Sequence, residues 1–386
     1  MVPDVDLSRI DQTPVEELRA AGSVKWTAHP DALGLFVAEM DFGLAPAVAE
    51  ALHAAVDGGR TGYLPSALTQ DLAAATAAWC ADRYGWAVPA ERVHAMGDVL
   101  AGLEVAIRHF STPDSAVIVP TPAYMPFLWL PRALGRQIVE VPSPAVDGRY
   151  ELDLDGIARA FEAGANLLVL CNPWNPVGRV LERDELLAVA EVVDHYGGRV
   201  FADEIHAPLT FEKPHLPYAA VSETAAAHTV TATSASKAFN LPGLKCAQLI
   251  LSNEADEARF AEDGGFVAHG ASSLGVIANT AAYTGGGPWL DEVLGYLDGN
   301  RRALGSLLDE HLPEVGYRMP EGTYIGWLDA RELGIEGSPA DFFLEHAGVA
   351  LTDGTACGTP GFLRFVFATP RPVVQQAIER MACALR

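Results

Sequence analysis

Four short stretches put reactive side chains where an apolar run gives way to a loop, or inside such a run. "TATSASKAFN", Thr231 to Asn240, sets one lysine, Lys237, among small and hydroxylated residues. "ADEIH" carries Asp203 at the end of an apolar run, and "FLRFVF" buries Arg364 inside one. "NPWNPVG" follows "NLLVLC"; its prolines forbid helix, so Asn172 and Asn175 stand on a turn. Taken singly, a strand-end Asp or Asn is a cap and a loop lysine is solvated. Together they supply an amine, a carboxylate, an amide donor and a guanidinium. Pyridoxal phosphate needs a Schiff-base lysine, a carboxylate for its pyridinium nitrogen, a donor to its phenolic oxygen and a phosphate cradle. This chain has a candidate for each.

The elements that would position these groups are legible in the apolar pattern. "SAVIVP" (115–120), "NLLVLC" (166–171), "GRVFA" (198–202), "HTVTAT" (228–233) and "CAQLIL" (246–251) read as buried strands. Helical patterns such as "ERDELLAVAEVVDHYG" (182–197) lie between several of them. Continuous apolar strands alternating with helices imply an α/β fold whose mainly parallel central sheet is covered on both faces. Function in such sheets gathers at the carboxyl ends of the strands, where these loops leave. The pattern changes near residue 285, where a long helix leads into "GTYIGWLDA", "GFLRFVFAT" and a closing helix. The expected organisation is an N-terminal arm over 1–45 packed on the small domain, a large domain over 46–285 and a smaller α+β domain over 286–386.

The 386 residues are 49% hydrophobic, enough for two cores, and the net charge of −24 makes nucleic acid or an anionic membrane a poor partner. Five scattered cysteines without ligand spacing read as reduced thiols of a cytoplasmic protein. The acidic opening "MVPDVDLSRIDQ" lacks the apolar core of a signal peptide, and no apolar run reaches the ~20 residues of a membrane span.

"NPWNPVGR", "ADEIH" and "SASKAFNLPGLK" resemble, in order and spacing, the signatures of fold-type I pyridoxal-phosphate enzymes of the aminotransferase class I/II group. The gaps are 28 residues from Asn175 to Asp203 (203−175) and 34 from Asp203 to Lys237 (237−203). More narrowly, "VKW", "FVAEMDF", "TGYLP", "TPAYMPF", "DEIH" and "GTYIGWLD" resemble the MalY/PatB-type C–S lyases, which include cystathionine β-lyases. His206 of "DEIH" stands where most aminotransferases carry tyrosine.

The resemblance implies roles residue by residue. Lys237 would link the cofactor and then serve as base at the substrate α-carbon; Asp203 would pair with the pyridinium N–H. Asn175 would donate to the phenolic oxygen, Tyr124 would stack on the ring, and His206 would belong to the same cofactor shell. The phosphate would meet the main chain of Asp98 and Val99 at a helix start, with Ser234 as its hydroxyl partner, Ser236 flanking the lysine, and Lys245 as a point charge where the wider group has arginine. Tyr63 would reach the phosphate of a neighbouring subunit, which implies a homodimer with shared active sites. Arg364 would clamp the substrate carboxylate, with Trp174 and Tyr324 also toward the substrate. Trp174, Cys357 and Val366 depart from the family's usual residues, and Trp174 and Cys357 are expected to shape the pocket for the sulfur substituent. The implied reaction is β-elimination from an L-cysteine thioether. An aminotransferase of the same fold, a specialised biosynthetic C–S lyase with a substrate other than cystathionine, or a binding protein on a lyase scaffold stays open.

Overall fold

Each of those five apolar runs is a strand in the computed structural model, which describes residues 7–263 and 270–386. The large sheet has seven strands: β1 (Val93–Met96), β2 (Val117–Thr121), β3 (Ile138–Pro142), β4 (Leu167–Cys171), β5 (Arg199–Asp203), β6 (Thr229–Thr233) and β7 (Ala247–Leu251). Their order is β1-β7-β6-β5-β4-β2-β3, with β7 antiparallel to both neighbours and the other pairings parallel. Successive side chains point to opposite faces of a strand, and both faces are covered. Ile118, Leu168, Leu170, Val200 and Ala202 enter one core, while Val117, Val119, Leu167, Val169 and Phe201 enter another.

The two outer strands, β1 and β3, were not among the runs singled out. β3 is half-exposed along most of its length, and an edge strand covered less completely carries no continuous apolar signal.

Register matters for the site. Cys171 lies beside Asp203, and Asp203 beside Ala232. The carboxyl ends of β4, β5 and β6 are therefore level, so the loops bearing Asn175, His206 and Lys237 leave the sheet side by side. Helix α1 (Val99–Val105) follows β1 and continues into a wider turn over Ala106–Phe110. Helix α2 (Arg183–His195) begins with a reciprocal cap between Glu182 and Glu185 and buries Leu186, Val189, Ala190 and Val193, one face of a 3.6-residue period.

Beyond it, α3 (Gly287–His311) is 25 residues long. It precedes a second, antiparallel sheet of β8 (Gly316–Tyr317), β9 (Ile325–Asp329), β10 (Thr352–Asp353) and β11 (Phe362–Val366), in the order β8-β9-β11-β10. Leu297 and Leu304 of α3, Phe365 of β11, and Val374 and Ile378 of the closing helix α4 (Arg371–Ala384) share one core. Near the N-terminus, Leu33–Gly34 pairs in parallel with Val349–Ala350, and Trp26 is fully buried in this same core. All five cysteines are free. Among the described residues no helix is long and apolar enough to cross a membrane.

Candidate active site

A cleft of about 610 Å³ opens where the level ends of β4, β5 and β6 face β11 and residues 36–38 of the N-terminal segment. Eleven of the residues singled out from sequence line it: Asp98, Val99, Tyr124, Asn175, Asp203, His206, Ser234, Ser236, Lys237, Lys245 and Arg364.

Lys237 Nζ donates to the Ala38 carbonyl at 3.0 Å. Removal from water, then the positive charge of Arg364, pushes its pKa down to about 8. Asp203 is buried and accepts from the Ile205 amide at 3.1 Å; burial pushes its carboxyl up to about 7. Near neutral pH, both groups thus stand close to their midpoints. His206 is buried beside two cations. Burial first, then Lys237 and Arg364, drives it down to about 3, so its imidazole is neutral and its Nδ1 has no partner.

Arg364 is the unusual group. It is 3% exposed, and its Nη2 donates to the Phe36 carbonyl at 2.7 Å. Nη1 meets only the Met125 sulfur at 3.9 Å, and Nε has no partner. No carboxylate among the described residues pairs with it. A buried cation without a counter-charge is costly, and a carboxylate ligand would satisfy it bidentately.

At the other end of the cleft, Asp98 caps α1 by accepting from the Ala101 amide at 2.9 Å. Its second oxygen takes Lys245 Nζ at 3.0 Å, so the aspartate charge at this helix start is balanced. Of the two serines, Ser234 is fully engaged. Its hydroxyl donates to the Cys246 carbonyl at 2.7 Å and accepts from the Ser236 amide at 3.0 Å. Asn172 also serves the turn itself, accepting from the Leu181 amide at 3.0 Å.

Four residues expected at the site stand outside the cleft lining. Trp174 is buried in the core: its indole N–H donates to the Pro122 carbonyl at 2.8 Å, and its backbone bridges to Arg179. Cys357 is fully buried in that same core. Neither is among the residues that line the cleft, though Trp174 borders a small cavity with Tyr124 and Asn175. Tyr324 is 1% exposed and donates its hydroxyl at 3.0 Å to the Ala38 carbonyl, the acceptor that also holds Lys237. Tyr63 is fully exposed and borders a separate concavity, about 890 Å³, that shares Lys245 with the cleft. The sequence reading missed the carbonyls of Phe36 and Ala38 altogether. "FVAEMDF" had marked the segment, but a backbone oxygen leaves no trace in residue type.

Comparison with known proteins agrees with this geometry. The model of the family "Aminotransferase class I and II" matches residues 30–381. The chain is 39% identical to a cystathionine beta-lyase of Corynebacterium glutamicum, over 96% of this chain and 99% of that one. It is 33% identical to cystathionine beta-lyase PatB of Bacillus subtilis, over 96% and 98%. Among solved structures, a candidate PLP-dependent beta-cystathionase of Corynebacterium diphtheriae superposes with a TM-score of 0.92 at 40% identity, covering 97% of this chain and 98% of that one. The fold is therefore that of the fold-type I pyridoxal-phosphate enzymes, and the cleft suits pyridoxal 5′-phosphate. It offers a lysine near its neutral form, a buried carboxylate, unpaired polar atoms on Asn175 and His206, and a helix start beside Lys245. With a family match spanning most of its length and relatives aligned over nearly all of it, the chain belongs to the aminotransferase class I and II family.

Proposed function

We propose that this protein is a pyridoxal-phosphate-dependent carbon–sulfur β-lyase that cleaves L-cysteine thioethers to thiol, pyruvate and ammonia. The observation that carries the reading is Arg364, a buried guanidinium without a carboxylate, in the cleft that holds Lys237. Full-length identity to cystathionine beta-lyases supports the choice of reaction.

Pyridoxal phosphate, when bound, supplies an electron sink for the substrate α-carbon. Lys237, Asp203, Asn175, His206 and Tyr124 are the side chains that would hold its ring, with the main chain of Asp98 and Val99, Ser234 and Lys245 toward its phosphate and Ser236 flanking the lysine. Arg364 orients the substrate by its carboxylate. Lys237, with a pKa near 8, is neutral often enough to take the α-proton. As the Cβ–S bond breaks, the electron pair leaves with sulfur, and Lys237 returns a proton there. The released 2-aminoacrylate takes up water and yields pyruvate and ammonia. Neutral His206 adds no second positive charge beside these steps. In the same reading the protein is a cytoplasmic homodimer, Tyr63 reaches the partner's phosphate site, and the exposure of Tyr63 in the single chain fits that use.

The test is product identity. S-methyl-L-cysteine, supplied with pyridoxal phosphate and no keto acid, is expected to give pyruvate, ammonia and methanethiol in equal amounts. If no pyruvate forms, yet an added keto acid drives stoichiometric amino-group transfer, the protein is an aminotransferase instead.

A further inference from the structure

Residues 36–41 form a two-sided segment. On its cleft side, the Phe36 carbonyl accepts from Arg364 Nη2 at 2.7 Å and from the Thr352 hydroxyl at 3.1 Å. The Ala38 carbonyl accepts from Lys237 at 3.0 Å and from Tyr324 at 3.0 Å. Met40 exchanges both backbone groups with the Asn240 amide, at 2.9 and 2.8 Å. The segment therefore touches Lys237 and Arg364 through its main chain.

On the other side sits a buried ion pair that lines no part of the cleft. Lys25 is 0% exposed and Asp41 is 6% exposed, with Nζ and Oδ2 at 2.8 Å. The remaining two ammonium hydrogens go to the carbonyls of Ala368 at 3.1 Å and Glu39 at 3.3 Å, so all three donors are used. Asp41 also accepts from the Trp26 indole at 2.9 Å, and its own amide donates to Ala368 at 3.1 Å. Ala368 lies four residues past Arg364 on the same chain (368−364). Lys25 and Asp41 thus tie the segment to the stretch that carries the guanidinium.

We infer that Lys25 and Asp41 are positioning residues for the reaction: they hold residues 36–41 so that the Phe36 carbonyl sets the plane of the Arg364 fork and the Ala38 carbonyl sets the place of Lys237. This rests on Arg364 as the carboxylate clamp. A planar fork binds a carboxylate well in one orientation only, and a small displacement of a positioning group costs much of its effect. Breaking a buried pair leaves the surviving charge unpaired, which drives the segment to rearrange.

The experiment uses holoenzyme and 3-(methylthio)propanoate, a thioether carboxylate with no amino group. It cannot react, so the outcome is independent of which bond the enzyme breaks. Calorimetric Kd is expected to rise roughly ten-fold in Lys25→Met and about three- to five-fold in Asp41→Asn, which keeps an acceptor for Trp26. Hydrogen exchange should quicken in residues 35–41 while β4, β5 and β6 stay protected. Should Lys25→Met fail to fold, Asp41→Asn carries the test, and Trp26→Phe, which removes one N–H from Asp41, should shift Kd in the same direction by less. If the variants lose thermal stability while Kd and exchange over 35–41 stay within about two-fold of wild type, the pair is a brace and nothing more, and the inference is overturned. Wild-type holoenzyme that does not bind the ligand at all would remove the clamp, and this inference with it.

Discussion

At the root of the N-terminal segment Lys25 is fully buried against Asp41, whereas in the cleft Arg364 is almost as buried and meets a carbonyl and a thioether. The other buried arginines side with Lys25. Arg179 is held by both oxygens of Glu185 at 2.7 Å, and Arg301 by Asp298 at 2.6 Å. Among the described residues, then, the fold neutralises three of its four buried cations itself and leaves the fourth for something else. An internal counter-ion marks a charge used for building. Its absence marks a charge kept for a ligand, because a fold that gained nothing from the bare cation would bear only its desolvation cost.

The hardest way to break this contrast is to remove Lys237, the cleft lysine without a carboxylate partner. Lys237→Ala should lower pyruvate release by about 10⁴-fold or more while the fold persists, because both proton transfer and the covalent link are lost. Borohydride reduction of wild-type holoenzyme should place the pyridoxyl group on Lys237; finding it on Lys245, which Asp98 already neutralises, would reverse the assignment.

Asp203→Asn comes next, with an expected loss in kcat on the order of 3–5 kcal/mol, several hundred- to several thousand-fold. It also has a signature in the cofactor-free protein. Folding raises the Asp203 pKa from 3.8 to about 7. Between those values the native state holds a proton that the unfolded chain has released, so this group makes stability fall as pH rises from about 4 to 7. Lys237, lowered from 10.5 to about 8, acts oppositely and makes stability rise from about 8 to 10.5. Asp203→Asn should therefore gain in Tm relative to wild type as pH climbs from 4 to 7. A constant difference across that range would mean that the native carboxyl is not held protonated.

Arg364→Lys sharpens the comparison by keeping the charge and discarding the fork. KM should rise and kcat fall together, a combined loss of roughly 1.5–3 kcal/mol in kcat/KM. An effect below two-fold would show that charge alone is needed, as at a surface pair. The smallest expected effect is Tyr63→Phe, worth about 0.5–1.5 kcal/mol of cofactor affinity, one hydrogen bond. Mixing Tyr63→Phe subunits with Lys237→Ala subunits should give heterodimers in which one shared site carries both native groups and holds pyridoxal phosphate with wild-type affinity. A monomer that remains active on sedimentation would end the shared-site idea.

Much of this was readable from residue order. The five inner strands, the mainly parallel sheet and the convergence of Lys237, Asp203 and Asn175 follow from continuous apolar runs and from the loops that end them. Those signals are local, and a buried strand has to be apolar along its length. The half-exposed edge strand β3 was not readable, because one open side relaxes that demand. Neither was the fate of Trp174 and Cys357, whose neighbours Pro122 and Ala123 lie 52 and 234 positions away (174−122, 357−123). The carbonyls of Phe36 and Ala38 are the deepest case. Every residue has a carbonyl, so residue type cannot say which one meets a guanidinium 328 positions downstream (364−36). The sequence by itself determined which groups would do the chemistry and that a parallel sheet would gather them. Only the tertiary structure decided which buried charge has a counter-ion, because pairing is a property of space, set by how the N-terminal segment and β11 pack together.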